Sequence, residues 1–238
     1  MNKLKLFVLT ALVATLPGLA TAAGESGDLV RVNNDVSDTE SLQRGAQVFF
    51  ENCVACHSLE YARYNRVARD LQIPEDLFEQ HLLDSDQAIG ELMTNALTDD
   101  LGGQFFGTTP PDLTVVQRVR GSDWLYGFLR GFYQDDLRPY GVNNAVYNNT
   151  GMPHVMVNAQ GLCAEAPGPD GCAEFATEGD MTPEEFDTAM YDLVNFLDYV
   201  GEPIQLQRQR IGWFVLAFLS VFLVFAWLLY RELWKDIK

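Results

Sequence analysis

Residues 44–59 read RGAQVFFENCVACHSL, and inside them Cys53-Val54-Ala55-Cys56-His57 is a Cys-x-x-Cys-His sequence. This spacing is the attachment signature of a c-type haem. Two thiols three positions apart can add to the two vinyl groups on one porphyrin edge. The adjacent imidazole then offers a neutral nitrogen to the iron from the proximal side. Upstream, Leu42, Ala46, Phe49 and Cys53 recur every three or four residues, so a helix from Ser41 to about Cys53 leads into the motif. Two other uses of the residues compete. A thioredoxin-like redox pair wants a strand before the motif and a helix after it. A structural zinc wants a second Cys or His pair at suitable spacing, whereas Cys163 and Cys172 lie over a hundred residues away.

A second axial ligand has to come from elsewhere. His81, Met93, Met152, His154, Met156, Met181 and Met190 carry suitable atoms. Met93 and Met190 read as core fillers. Met152 sits in Thr150-Gly151-Met152-Pro153, a loop that can hold a thioether against the distal face, with His154 and Met156 as near rivals. A His/Met pair raises the reduction potential and fills both axial positions, which favours electron transfer over oxygen or peroxide chemistry.

Two apolar stretches frame the chain of 238 residues. Lys3 and Lys5, an uncharged run from Leu6 and small residues at Ala20–Ala23 make residues 1–22 an export signal, cleaved after Ala22 or Ala23. The competing reading is an N-terminal membrane helix. Near the other end, IGWFVLAFLSVFLVFAWLLY (211–230) carries no charge and is long enough to cross about 30 Å of hydrocarbon. Arginines flank it, and Trp213, Trp227, Tyr230 and Trp234 lie near its ends. The expected organisation is an exported domain (23–207), a transmembrane anchor (208–231) and a short inner tail (232–238).

At 47% hydrophobic residues the chain is no disordered polyacid, despite a net charge of -17. That charge argues against nucleic acid and for a basic protein partner. Between Pro139 and Gln207 there are eleven carboxylates and no Lys or Arg. They either form a solvated face or steer a cationic partner. Cys163 and Cys172 flank a turn-rich insert and, after export, are expected to form a disulfide.

The remaining pattern is mostly helical. Helices are expected over 74–83, 86–97 and 122–133, the last with Ser122 as its cap. Thr182-Pro183-Glu184-Glu185 is a capping box with proline at the first helical position. It opens a helix carrying Phe186, Met190, Leu193, Leu197 and Val200, stopped by Gly201 and Pro203. Residues 102–109 and 141–151 read as loops. Period-2 alternation is scarce, so an extensive sheet is not expected.

With these parts in place the chain resembles the cytochrome c1 family, the haem subunits of the quinol–cytochrome c oxidoreductase (cytochrome bc1 complex). The residues that carry the likeness are RGAQVFFENCVACHSL, Pro110-Pro111-Asp112-Leu113-Thr114, Arg118 and Arg120 before a helix with Asp123 and Trp124, the Gly-Met-Pro loop, and YDLVNFLDYVGEP leading into one membrane span. The resemblance implies a mainly α, cytochrome c-like monohaem domain with long loop insertions and one C-terminal transmembrane helix. It implies one covalent haem c on Cys53 and Cys56, with His57 and Met152 as iron ligands. Pro110 and Pro111 match the segment packed near the proximal ligand. Arg120 matches a propionate partner, and Trp124 falls where the family often has a tyrosine. The implied partners are cytochrome b, a Rieske iron–sulfur protein and a basic soluble or tethered cytochrome c, in a dimeric complex of the bacterial inner membrane with the haem domain in the periplasm. The chain departs from the family in placing Pro153 directly after Met152. Other readings are a different anchored monohaem cytochrome, an exported thiol–disulfide enzyme, and a tethered binding module.

Overall fold

The computed structural model describes residues 29–83 and 87–237, so the expected export signal lies outside the described residues. In chain order the elements are α1 (Thr39–Asn52), β1 (Leu59–Arg63), α2 (Tyr64–Asp70), α3 (Glu75–Leu82), β2 (Leu92–Met93), α4 (Asp99–Phe106), α5 (Val116–Arg120), α6 (Ser122–Arg130), β3 (Phe132–Gln134), β4 (Val142–Asn144), α7 (Val157–Gln160), β5 (Gly161–Cys163), β6 (Phe175–Glu178), α8 (Pro183–Gly201) and α9 (Gln205–Leu233), with a 3-10 turn at Lys235–Ile237.

The pairing of α1 with α8 organises the core. Asp38 caps α1 by accepting the Ser41 N–H at 3.1 Å, and Leu42, Ala46 and Phe49 turn inward as their spacing requires. The helices meet at Gly45, where a Cβ would lie 2.0 Å from the Asp192 carbonyl oxygen. Only glycine permits that approach. Asp192 is itself buried, and its carboxylate accepts from the Ser41 hydroxyl at 2.6 Å and from the Arg44 guanidinium at 2.6 and 3.1 Å. A buried carboxylate needs such compensation.

Helix α8 starts at the expected capping box, with Thr182 and Glu185 accepting from each other's backbone N–H. The predicted core positions Phe186, Met190, Leu193, Leu197 and Val200 are buried, and so are Val194, Phe196 and Tyr199 on other faces. Helix α8 is therefore the central strut, touched by α1, α5, α6 and α7. Helices α5 and α6 are separated by Gly121 at φ +86°, a left-handed turn that lets both lie against α8.

The sheets are small. Strands β1 and β2 pair antiparallel, and the second sheet runs β4-β3-β5-β6, with β3 and β5 parallel. Cys163 of β5 is bonded to Cys172, with Cα atoms 5.4 Å apart, closing the loop before β6.

Several local expectations fail, among them the loop expected over 141–151, where Val142–Asn144 form β4 against β3. Residues 87–97 are not helical: Leu92–Met93 form β2, and the carbonyls of Ile89 and Glu91 accept the N–H groups of Asn65 and Tyr64. Pairing with β1 and burial of Met93 override the helical spacing. Residues 102–106 belong to helix α4, capped by Thr98 and ended by Gly107 in the left-handed conformation. Its glycine pair serves packing, because Gly102 lies under the Pro110 ring. Ser122 is not the cap of α6, which follows Gly121, and its hydroxyl instead accepts from Asn34 and Gln117. That helix stops at Arg130, and Phe132 enters β3.

Helix α9 has 29 residues, is strongly apolar, and buries none of its apolar window against the rest of the chain. At 1.5 Å per residue it spans roughly 43 Å, more than the ~30 Å of a hydrocarbon core. It has the length and composition of a single membrane span.

Candidate haem site

The C-terminal end of α1 delivers the motif. Cys53 is the C-cap residue, its N–H bonded to the Phe49 carbonyl, and the N–H groups of Cys56 and His57 turn back onto the Cys53 carbonyl at 3.1 and 2.9 Å. This turn brings both thiols and the imidazole to one side. Burial, and then the neighbouring Cys56, push the Cys53 thiol up to about 12. Cysteines used for thiol–disulfide exchange do the opposite: they sit at helix N-termini with depressed pKa values. Helix before motif and a raised thiol pKa together argue against the exchange-enzyme reading.

His57 is fixed by a second segment. Its Nδ1 lies 2.8 Å from the Pro111 carbonyl oxygen. A carbonyl only accepts, so Nδ1 carries the hydrogen and Nε2 keeps its lone pair. Desolvation lowers the His57 pKa, partly offset by that hydrogen bond and by Asp112. The imidazole is thus neutral and ligand-competent at pH 7. Asp112 pins the Pro110–Pro111 segment, its carboxylate accepting from the N–H groups of Glu60 at 2.7 Å and Thr114 at 2.9 Å. The Leu113 N–H adds a bond to the Ser58 carbonyl.

These groups open onto a cavity of about 440 Å³ bounded by α1, α4, α5, α6, α8 and the methionine loop. It brings together all eight residues singled out for the cofactor: Cys53, Cys56, His57, Pro110, Pro111, Arg120, Trp124 and Met152. The volume is ordinary for a cofactor pocket. Its other walls are mainly apolar, with Leu125, Phe128 and Leu129 from α6 and Leu193 and Leu197 from α8. The rival ligands lie elsewhere. Met156 is buried in the apolar core, and His154 stacks on Phe132 at 4.8 Å with its Nε2 3.0 Å from the Gly161 carbonyl oxygen. Neither lines the cavity.

On the cavity wall, the Arg120 guanidinium lies 5.0 Å over the Trp124 ring and 5.9 Å from that of Tyr147. Among the described residues it has no carboxylate partner. A cation held this way suits an anionic group entering the cavity, such as a haem propionate. The donor set of two thiols, a neutral imidazole and a thioether in one apolar pocket fits a haem. A larger groove of about 740 Å³ lies along α1 and α3. It is more open and lacks that donor set, so the chemistry belongs to the smaller cavity.

Sequence reading missed Asp112 as the pin behind Pro111, and Phe128 and Tyr147 as wall aromatics. Asp112 stood in the quoted Pro-Pro-Asp motif. Nothing in the spacing of the asparagine-rich loop distinguishes Tyr147.

Residues 33–237 match the model of the Cytochrome C1 family. The chain is 44% identical to cytochrome c1 of Allochromatium vinosum, covering 97% of this chain and 98% of that protein. It is 39% identical to the ammonia monooxygenase gamma subunit of Nitrosomonas europaea over the whole of both chains. It is 25% identical to cytochrome c1 of Rhodobacter capsulatus over 84% of this chain and 85% of that one. Similarity over nearly its whole length, with a cavity fit for a haem, gives the assignment: the chain belongs to the cytochrome c1 family, the electron-transfer haem subunits of the cytochrome bc1 complex.

Proposed function

We propose that this chain holds one haem c covalently through Cys53 and Cys56, with His57 and Met152 as its axial ligands. It accepts single electrons from a Rieske iron–sulfur protein and passes them to a cytochrome c. The observation that carries this reading is the meeting of both thiols, the imidazole and the Met152 thioether in one apolar cavity. When bound, the haem iron supplies reversible one-electron exchange.

The chain's own residues do the rest. Pro111 orients His57 through Nδ1, so the nitrogen offered to the iron is fixed in direction and tautomer. With the group bound, the soft neutral sulfur of Met152 would help hold the iron and would favour its reduced state. Arg120, stacked on Trp124, would meet the propionate charge. The wall from Leu125 to Leu129 and from Leu193 to Leu197 excludes water. No residue has to move a proton.

Membership of the family supports three partners: a cytochrome b that oxidises quinol, the Rieske donor, and a basic acceptor met by the exposed carboxylates of the acidic stretch, from Glu165 to Glu184. Export through residues 1–22 puts the haem domain in the periplasm of a bacterial inner membrane, anchored by α9 in a dimeric complex. The test is isolation of the native complex from host membranes with its redox difference spectrum. A c-type spectrum with a dihaem cytochrome b and a Rieske protein is expected. Recovery with an ammonia-oxidising enzyme or a terminal oxidase instead overturns the assignment of partners. Reduction of a basic cytochrome c should slow steeply with added salt; a flat dependence removes the acidic docking surface.

A further inference from the structure

Between the end of β4 and the start of α7 the chain runs through residues 145–156 without helix or strand, yet this segment carries both Tyr147 and Met152 into the cavity. After Ala145, whose N–H donates to the Gly131 carbonyl at 2.8 Å, its backbone N–H groups have no ladder to bond, and side chains hold several of them. Two buried amides do so. The Oδ1 of Asn144 accepts the N–H groups of Val146 at 2.9 Å and Tyr147 at 3.0 Å, while its Nδ2 donates to the Phe128 carbonyl at 2.8 Å. The Oδ1 of Asn143 accepts the N–H groups of Asn144 and Asn149, both at 2.9 Å, and its Nδ2 donates to Asp135 and Asn148.

Asn144 is only 1% exposed, and the fold makes room for it. A Cβ on Gly131 would stand 3.1 and 3.2 Å from its amide oxygen and nitrogen and 2.8 Å from the Gly127 carbonyl oxygen. Together with the Ala145 N–H on the Gly131 carbonyl, this side chain ties the start of the loop to the end of α6, the helix that bears Trp124 and Phe128. Tyr147 is then set against Trp124, with ring centroids 6.1 Å apart, and beside the Arg120 guanidinium. Downstream, the Thr150 hydroxyl accepts the Met152 N–H at 3.3 Å.

We infer that Asn144 is the positioning residue of the methionine loop: its amide, spanning the Val146 and Tyr147 N–H groups and the Phe128 carbonyl, fixes where Tyr147 and Met152 stand in the cavity. The inference rests on Met152 being an axial ligand. Removing the amide frees the loop to swing, and the sulfur leaves its place while the thioethers and His57 remain.

The test is a series at one position in the full-length holoprotein. Asn144→Asp keeps both acceptor contacts but turns a second acceptor oxygen onto the Phe128 carbonyl, Asn144→Ser keeps a weaker acceptor, and Asn144→Ala keeps none. The readouts are the weak long-wavelength absorption that a methionine sulfur gives ferric haem, carbon monoxide binding by the reduced protein, and the reduction potential. The sulfur band should weaken in all three variants, with carbon monoxide binding rising at least tenfold in Ala over wild type and the potential falling with it. Asn195→Ala removes a comparably buried amide that donates to Asp35 and Ser41 away from the cavity. It should lower thermal stability and leave the band intact. A wild-type band without carbon monoxide binding in Asn144→Ala overturns the inference. If that variant does not accumulate, Asn144→Ser and Asn144→Asp decide, and a wild-type band without carbon monoxide binding in both overturns it. Met152→Leu run in parallel separates the layers. If it too keeps the band and excludes carbon monoxide, the ligand assignment itself is wrong. If it opens the site and the Asn144 series does not, only the positioning role falls.

Discussion

Replacing Gly45 by alanine should damage this protein although it puts the best helix former into the middle of a helix. Propensity alone favours Gly45→Ala by about 1 kcal/mol. Geometry opposes it, because the new Cβ would sit 2.0 Å from the Asp192 carbonyl oxygen, 2.5 Å from its carbon and 2.8 Å from the Phe196 Cβ. Two of these are backbone atoms of a buried helix and cannot swing away. To reach an ordinary 3.4 Å contact, α1 and α8 must separate by roughly 1.4 Å. Overpacking of this kind costs about 1–3 kcal/mol, and stretching the buried Ser41–Asp192 hydrogen bond adds about 1–2 kcal/mol. The net loss is about 3 kcal/mol, or a fall in Tm of roughly 6–12 °C for a domain of this size. The displaced helix ends at Cys53 while α8 supplies the Leu193 and Leu197 wall, so haem attachment should suffer too. Thermal unfolding of the detergent-solubilised chain by circular dichroism, with haem staining of the denatured protein, reads both effects. Unchanged Tm and haem content would refute the claim that this crossing sets the site.

Glu202, at the joint between α8 and α9, is held by Arg118 at 2.7 Å and by Arg208. The hydrogen bonds from Arg208 and then Arg118 hold its carboxyl at about 2. Its folded pKa is depressed, so the joint's contribution to stability is present above the ordinary glutamate range and is lost as pH falls towards 2. Titrating the wild type against Glu202→Gln should show the difference vanish only in that acid window. Loss of the difference near pH 4.5 would contradict the clamp. Thr182→Ala removes the capping box of α8 and should cost about 1 kcal/mol, read as a Tm shift of roughly 2–4 °C. Replacing Cys163 and Cys172 together by alanine opens a loop of sequence separation 9 and should cost about 2.6 kcal/mol. The visible spectrum should stay as in the wild type, because neither residue lines the cavity.

The parts of the fold legible in the sequence were those where local chemistry and burial agree. The 3.6 spacing of Leu42, Ala46 and Phe49 and the capping box at Thr182 each coincide with a buried face, so α1 and α8 follow directly. Where tertiary pairing decides, reading failed. Leu92 and Met93 were drawn into a two-residue strand by β1, and Gly102 and Gly103 lie in a helix because Pro110 packs on one of them. The cavity was legible through Cys53, Cys56 and His57, whose Cys-x-x-Cys-His spacing is itself a haem-attachment signature. Its supports were not. Asp112, Asn143 and Asn144 act by bonding backbone groups that only the fold brings near, and no periodicity marks such residues.

The central claim is covalent: porphyrin carried on Cys53 and Cys56. Trypsin cuts after Arg44 and Arg63, so one peptide, residues 45–63, contains both thiols and His57. Mass spectrometry of that peptide from the native host should show the added mass of a single haem and no free thiol. The same peptide recovered unmodified, or with its two cysteines joined to each other, would contradict the account.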